Sequence, residues 1–194
     1  MRRPDTVSQH PTAPRRRLTH TRRFQCEGYH RADGLWDIEI TMIDTKPEDF
    51  PMTRQVLLAG QPMHHMALRL TIDSGYVIHD VLVNSLASPY PGTCDSISQA
   101  YRGLIGLNLM KGFRKEVQTR FQGVQGCTHV SEMFLLAPTV AIQSLVEERW
   151  HTRHTSQERP LEIDGCHALS ESGSIIREVY PKWWKNVPKT PHQS

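Results

Sequence analysis

Apolar and polar residues alternate along residues 35–44 (LWDIEITMID), with Leu35, Ile38, Ile40 and Met42 or Ile43 set against Asp37, Glu39 and Thr41. A period of two is that of a strand with one face buried, because successive side chains of an extended chain point to opposite faces. Asp33-Gly34 supplies a turn before it, so the segment is predicted as the second strand of a hairpin that begins at Phe24. The same period returns over 66–72 and 76–83 around Asp73-Ser74-Gly75, which predicts a second β-hairpin. Between them, 46–61 carries Pro47, Pro51 and Gly60 and reads as a long connection.

Beyond residue 88 the period changes. SPYPG at 88–92 ends the sheet, Asp95 or Ser96 can cap a helix from Ile97, and apolar residues at helical spacing continue to Phe121. Gly106 and Gly112 predict two helices with a bend there. A second helical block is predicted over 128–150, with Thr128 as N-cap and Met133, Leu136, Val140 and Leu145 turned to the core. Pro138 lies inside it and is expected to kink or split it. From Pro160 the segments LEIDGCHAL and SIIREVYP read as a short strand pair, with Tyr180, Trp183 and Trp184 packing the tail down. The pattern predicts an α+β fold, a small antiparallel β-sheet packed with helices on one side.

A chain of 194 residues with 38% hydrophobic content can build one domain with a real core. The expected organisation is a disordered basic arm over 1–20, a single α+β domain over 21–185 and a flexible tail over 186–194. The net charge of +3 comes largely from Arg2, Arg3, Arg15, Arg16, Arg17, Arg22 and Arg23, so basicity belongs to the arm. No aromatic residues interleave with it, and no nucleic-acid partner is expected. No apolar run approaches the roughly 20 residues of a bilayer span. No membrane partner is expected either, and the expected location is cytoplasmic. In that compartment Cys26, Cys94, Cys127 and Cys166 are read as free, metal-bound or catalytic thiols rather than disulfides.

Thiol and imidazole groups gather at element boundaries. His64 and His65 precede a strand, Cys94 opens the first helical block, Cys127 and His129 open the second with Glu132 one turn on, and Cys166 adjoins His167. The partial positive charge of a helix N-terminus favours a thiolate, which recommends Cys94 and Cys127 as nucleophiles or ligands. His64, Cys94, Cys127 and His129 are therefore the candidate catalytic residues, and the same four are the candidate metal ligands, with zinc or iron as the candidate ions. No CxxC or HExxH spacing is present, so small buried cysteines and ordinary histidines remain an equal reading. Cys26 is read as packing. Tyr29, Trp36 and Tyr90 are candidate substrate-binding walls, the aromatic segment around Trp36 also reading as a turn and an exposed strand face.

The motifs THTRRFQCEGYHRADGLWDIE, DTK, PMHHMALRLTID, SPYPGTC, GCTH, GCHAL and VYPKW, in that order, resemble the bacterial domain-of-unknown-function family 2889. Where that family shows Pro-x-His-Asp-Met, this chain has Pro62-Met63-His64-His65-Met66. The order of parts is also similar, more distantly, to the iron-sulfur scaffold and sulfur-acceptor fold. That second resemblance implies ligand positions at His64, Cys94 and Cys127 with His129, and a His in the first position argues against cluster assembly.

The expected function is a small-molecule enzyme, a lyase, and the family resemblance implies aromatic-compound catabolism. C–C cleavage that releases a small aldehyde such as formaldehyde needs a base for a hydroxyl proton and a way to hold developing charge. The alternative is a metal or iron-sulfur carrier or sulfur acceptor without turnover, and a third reading is an interaction module. No nucleotide cofactor is expected, because no phosphate-cradling glycine pattern is present. The expected partner is a small aromatic substrate, with a homodimer left open.

Overall fold

A computed structural model of the chain describes residues 14–53, 55–152 and 157–186. Most of the arm expected over 1–20, and the tail from 187, lie outside the described residues. The chain divides into two compact units, Met1–Leu145 and Val146–Ser194, and the span expected as one domain takes in parts of both.

The first unit is built on a four-stranded antiparallel sheet of order β1-β2-β5-β6. Its strands are β1 (Thr21–His30), β2 (Trp36–Thr45), β5 (Pro62–Ile72) and β6 (Ile78–Ala87). Both predicted hairpins form. Between them the expected connection carries a small ribbon of its own, β3 (Phe50–Pro51) paired with β4 (Val56–Leu57). Burial along β2 alternates without a break: Trp36, Ile38, Ile40 and Met42 are each 4% exposed or less, and their partners on β5 include Ile72, Leu70, Leu68 and Met66. Burying one such side chain stabilises the fold by about 1.5–3 kcal/mol.

The helices cover that apolar face. A 3-10 helix over Asp95–Leu104 packs on β6, and α1 (Phe113–Arg120) follows from Gly112, whose left-handed φ of 67° suits glycine. Helix α2 (Thr128–Ser144) lies across β1, β2 and β5. Its buried residues Val130, Met133, Phe134, Ala137, Pro138 and Ala141 form a stripe at helical spacing. Pro138, expected to kink or split the block, sits inside an unsplit helix, its ring filling a place in the stripe. The cap position belongs to Cys127 rather than to the expected Thr128, and no side chain caps it. Tyr101, Phe121 and Phe134 stack at the centre, with ring centroids 4.2 and 5.1 Å apart.

The second unit contains α3 (Val146–Thr152), α4 (Ser174–Val179) and short 3-10 helices at His167–Leu169 and Pro181–Trp183. Its described residues form no strand, so the predicted pair over LEIDGCHAL and SIIREVYP is corrected. Ile176 and Tyr180 stand four apart and both pack on Ile163, and that helical spacing decides the segment. Trp183 and Trp184 pack against the same small core.

Candidate functional site

The core-facing phase of β2 runs Trp36, Ile38, Ile40, Met42 and then Asp44, so the last position in an apolar row holds a carboxylate that is 1% exposed. Register sets its neighbours. Arg22 on β1 and His64 on β5 both stand directly opposite Asp44 and make a polar row across three strands at one end of the sheet.

The side chains use that alignment. Arg22 donates from Nε to Asp44 Oδ1 and from Nη2 to Oδ2, both at 2.8 Å. His64 Nδ1 lies 3.1 Å from Oδ2 and His20 Nε2 lies 3.3 Å from Oδ1. An ionised carboxylate only accepts, so the proton of this contact sits on His64 Nδ1 and leaves Nε2 as a basic nitrogen. Arg22 also donates from Nη1 to Glu132 Oε2 at 2.6 Å, which ties the row to α2.

The second imidazole comes from the first turn of α2. The His129 ring lies 4.0 Å from that of His64, with its Nε2 3.8 Å from Asp44 Oδ2, and Cys127 Sγ stands 3.9 Å from its Nδ1. Buried Tyr101 holds this turn in place. Its hydroxyl accepts from the Cys127 N–H at 2.8 Å and lies 3.1 and 3.0 Å from the Cys127 carbonyl and Ser131 Oγ. The α2 N-terminus is thereby fastened at Cys127 itself.

Burial favours the neutral form of each ionisable group, and here the carboxyl and the two imidazoles respond differently. Burial pushes Asp44 upwards, but the Arg22 hydrogen bonds and charge, helped by His20 and His64, outweigh it and hold the carboxyl below its ordinary range. His64 is lowered, first by burial, against the pull of Asp44. His129 is lowered by burial and then by His64 and Arg22. The result is an ionised carboxylate beside two neutral imidazoles, a set suited to accepting a proton.

The same set suits a metal ion. One donor atom each from Asp44, His64 and His129 lies within 4.8 Å of the others. Bonds of about 2.1 Å give neighbouring ligands a separation of roughly 3.0–3.4 Å. The 3.1 Å Asp44–His64 contact has that length, but the roughly four lone-pair directions of the carboxylate already face Arg22 twice, His20 and His64.

Of the four residues that the sequence puts forward as ligands or catalysts, the fold brings His64 and His129 together, with Cys127 at the edge of the pair. Cys94 is not among the converging donors of the described residues. It stands at the start of the 3-10 helix, its N–H donating to the Tyr90 carbonyl at 2.9 Å. His65 faces away from His64 and pairs with Ile43, and Cys26 is exposed on the edge strand rather than packed. Cys166 and His167 belong to the second unit and are exposed.

The aromatic walls separate. Trp36 is a core residue stacked on His30, eight residues or roughly 26 Å along β2 from Asp44. Tyr29 is at the same far end, seven residues from Arg22 on β1. Tyr90, by contrast, lines a cavity near the Asp44 end of the sheet. Sequence reasoning missed Asp44, Arg22 and His20. Asp44 carried a signal, being a charged residue in phase with Ile38, Ile40 and Met42; Arg22 and His20 were counted with the basic arm.

Residues 20–143 match the model of a family described as a protein of unknown function (DUF2889), and this span contains every residue of the site. No curated protein and no solved structure matches the chain.

Proposed function

The chain belongs to this family of unknown function, and from the corner formed by Asp44, His64 and His129 we propose that it is a small-molecule enzyme, a lyase that cleaves a C–C bond and releases a small aldehyde. One observation carries the reading: a carboxylate buried to 2% side-chain exposure, clamped by Arg22, faces His64 Nδ1 and fixes which nitrogen is basic. His64 Nε2 takes the proton of a substrate hydroxyl. The oxygen lone pair then closes the aldehyde C=O, the C–C bond breaks, and its electron pair stays on the departing carbon, which takes up a proton. Asp44 steadies the imidazolium as it forms, that imidazolium then returns its proton to the departing carbon, and the His129 ring stands beside it as a neutral hydrogen-bonding neighbour. An aryl group on the departing carbon spreads its developing charge, in keeping with the aromatic substrates that the family resemblance implies.

The test is a formaldehyde-trapping assay over a panel of 2-aryl primary alcohols. Wild-type protein is expected to release aldehyde from at least one, and His64→Asn to lower the rate by about 10²–10⁴-fold, the usual worth of a positioned base. A panel without release would overturn the lyase.

The convergence of three donor atoms favours a second reading, a metal-holding protein without turnover. Elemental analysis of protein prepared without chelators separates the two: near-stoichiometric zinc or iron that disappears in His129→Ala, together with an inactive panel, selects the carrier. The sulfur-acceptor arrangement needs Cys94 among the ligands, and nothing in the described cluster supports that.

A further inference from the structure

The ribbon β3–β4 and the turn at 89–91 enclose a cavity of about 390 Å³. Two rings (Phe50, Tyr90), two thioethers (Met52, Met63) and the prolines flanking Tyr90, Pro89 and Pro91, make most of its wall. Met63 immediately precedes His64 on β5, at the point where the register between β2 and β5 shifts, and none of Asp44, His64 and His129 is among the described residues that line the cavity. The cavity is therefore a second site at the Asp44 end of the sheet.

Its chemistry limits what fits. No charged side chain is among the described lining residues, whose polar groups are Thr53, Gln55 and the Tyr90 hydroxyl. Aromatic, thioether and proline surface dominates the described wall, which suits a flat apolar ring. The volume lies at the lower end of the ~300–1,000 Å³ typical of small-molecule pockets, room for one or two rings. Phe50 and Tyr90 remain 41% and 59% exposed, so both have surface free to stack, and thioether sulfur makes favourable contacts with aromatic rings.

The wall is also stiff. The Tyr90 carbonyl accepts from the N–H groups of Thr93 at 3.1 Å and Cys94 at 2.9 Å, and the prolines on either side restrict the backbone. Lys46 Nζ stands 5.2 Å from the centre of the Phe50 ring. Walls held before binding lose little freedom on binding.

We propose that this cavity, walled by Phe50, Met52, Met63 and Tyr90, is a binding site for a flat aromatic ring. Binding is a property of the cavity alone. Only the further step, that the ring is the aryl group of the lyase substrate, rests on the proposed function.

The experiment is a titration of the full chain, carrying ¹³C-labelled methionine methyl groups, with 4-methylphenol, and in parallel with cyclohexanol and a proline-rich peptide. A bound ring shifts nearby methyls upfield through its ring current, which cyclohexanol cannot do. The expected result is a saturable upfield shift of the Met52 and Met63 methyls with 4-methylphenol. Tyr90→Ala and Phe50→Ala, at exposed positions, should each weaken that binding severalfold, and His64→Asn should leave it unchanged. Shifts as large with cyclohexanol, saturation by the peptide instead of the phenol, or unaltered affinity in both ring variants would overturn the proposal. Phenol binding retained without aldehyde release would uphold this site while sinking the lyase.

Discussion

Asp44 and His64 face each other across β2 and β5, carboxylate Oδ2 to imidazole Nδ1, at 3.1 Å. The contact does two jobs with one proton. It satisfies a buried acceptor, and it directs the basic nitrogen of His64 away from the carboxylate.

Asp44→Asn should separate those jobs. An amide offers one acceptor oxygen where Arg22 alone uses two, and its NH₂ can donate to His64 Nδ1, which moves the imidazole proton to Nε2 and removes the base. The aldehyde-release rate should fall by about 10²–10⁴-fold. Asp44→Ala removes the partner altogether and should cost roughly 3 kcal/mol by urea denaturation, at the low end for a broken buried pair because Arg22 keeps Glu132. An Asn variant that retains full activity would show that the carboxylate has only a structural part.

Acid should weaken the fold earlier than carboxylates alone would dictate. His64 and His129 are held below the ordinary imidazole value of about 6.5, so below that pH the unfolded chain binds more protons than the folded one. Their contribution is full above about pH 6.5 and is lost as pH falls through the lowered folded values. Asp44 has the same sign further down, its contribution full above roughly pH 3.9 and lost as pH falls through its depressed folded value. Urea midpoints at pH 7.5 and 5.5 should fall more in wild type than in a His64→Gln, His129→Gln double variant. Equal falls would mean that neither imidazole resists protonation.

Much of this site could be read from the order of residues, and some of it could not. Alternation in 35–44 reports the sheet because burial on one face leaves a period of two, and the stripe from Val130 to Ala141 reports α2 in the same way. His64 and His129 stood out because their residue type is scarce and both open an element. Arg22 gave no such sign: its side chain matters only through register, and pairing it with Asp44 requires knowing that β1 lies beside β2 in that alignment. Cys94 shows the converse. A thiol at a helix start satisfies the local rule, but only the course of 88–95 decides where it goes, and it goes to the Tyr90 turn. The tail misled because Ile175 and Ile176 suit a strand as well as a helix, and contact with Ile163 settles the matter.

Tyr101→Phe keeps the ring stack and deletes one oxygen. The Cys127 N–H then loses its acceptor and Ser131 a partner, which should lower stability by about 1–3 kcal/mol. Because the same oxygen fixes the turn that presents His129, kcat should fall further than the stability loss explains when assayed well below the melting temperature. A variant with lower stability and unchanged kcat would confine Tyr101 to packing.

Gly28 governs the other end of α2. A Cβ built there would stand 1.8 Å from Ser144 Oγ and 2.6 Å from Ser144 Cβ, far inside contact distance, so β1 and the last turn of α2 approach as closely as they do because no side chain intervenes. Gly28→Ala must lift the end of the helix from the strand, at about 1–3 kcal/mol by the usual cost of overpacking. Since Arg22 on β1 and Glu132 on α2 join across the same pair of elements, displacement there should also loosen the 2.6 Å ion pair and lower activity. Ser144→Gly removes both offending atoms and should restore most of the stability when combined with Gly28→Ala, although it weakens the helix end by itself. Urea denaturation of the two single variants and the double variant gives the coupling directly. A coupling near zero would mean that β1 yields on its own and that α2 is seated by the apolar stripe alone.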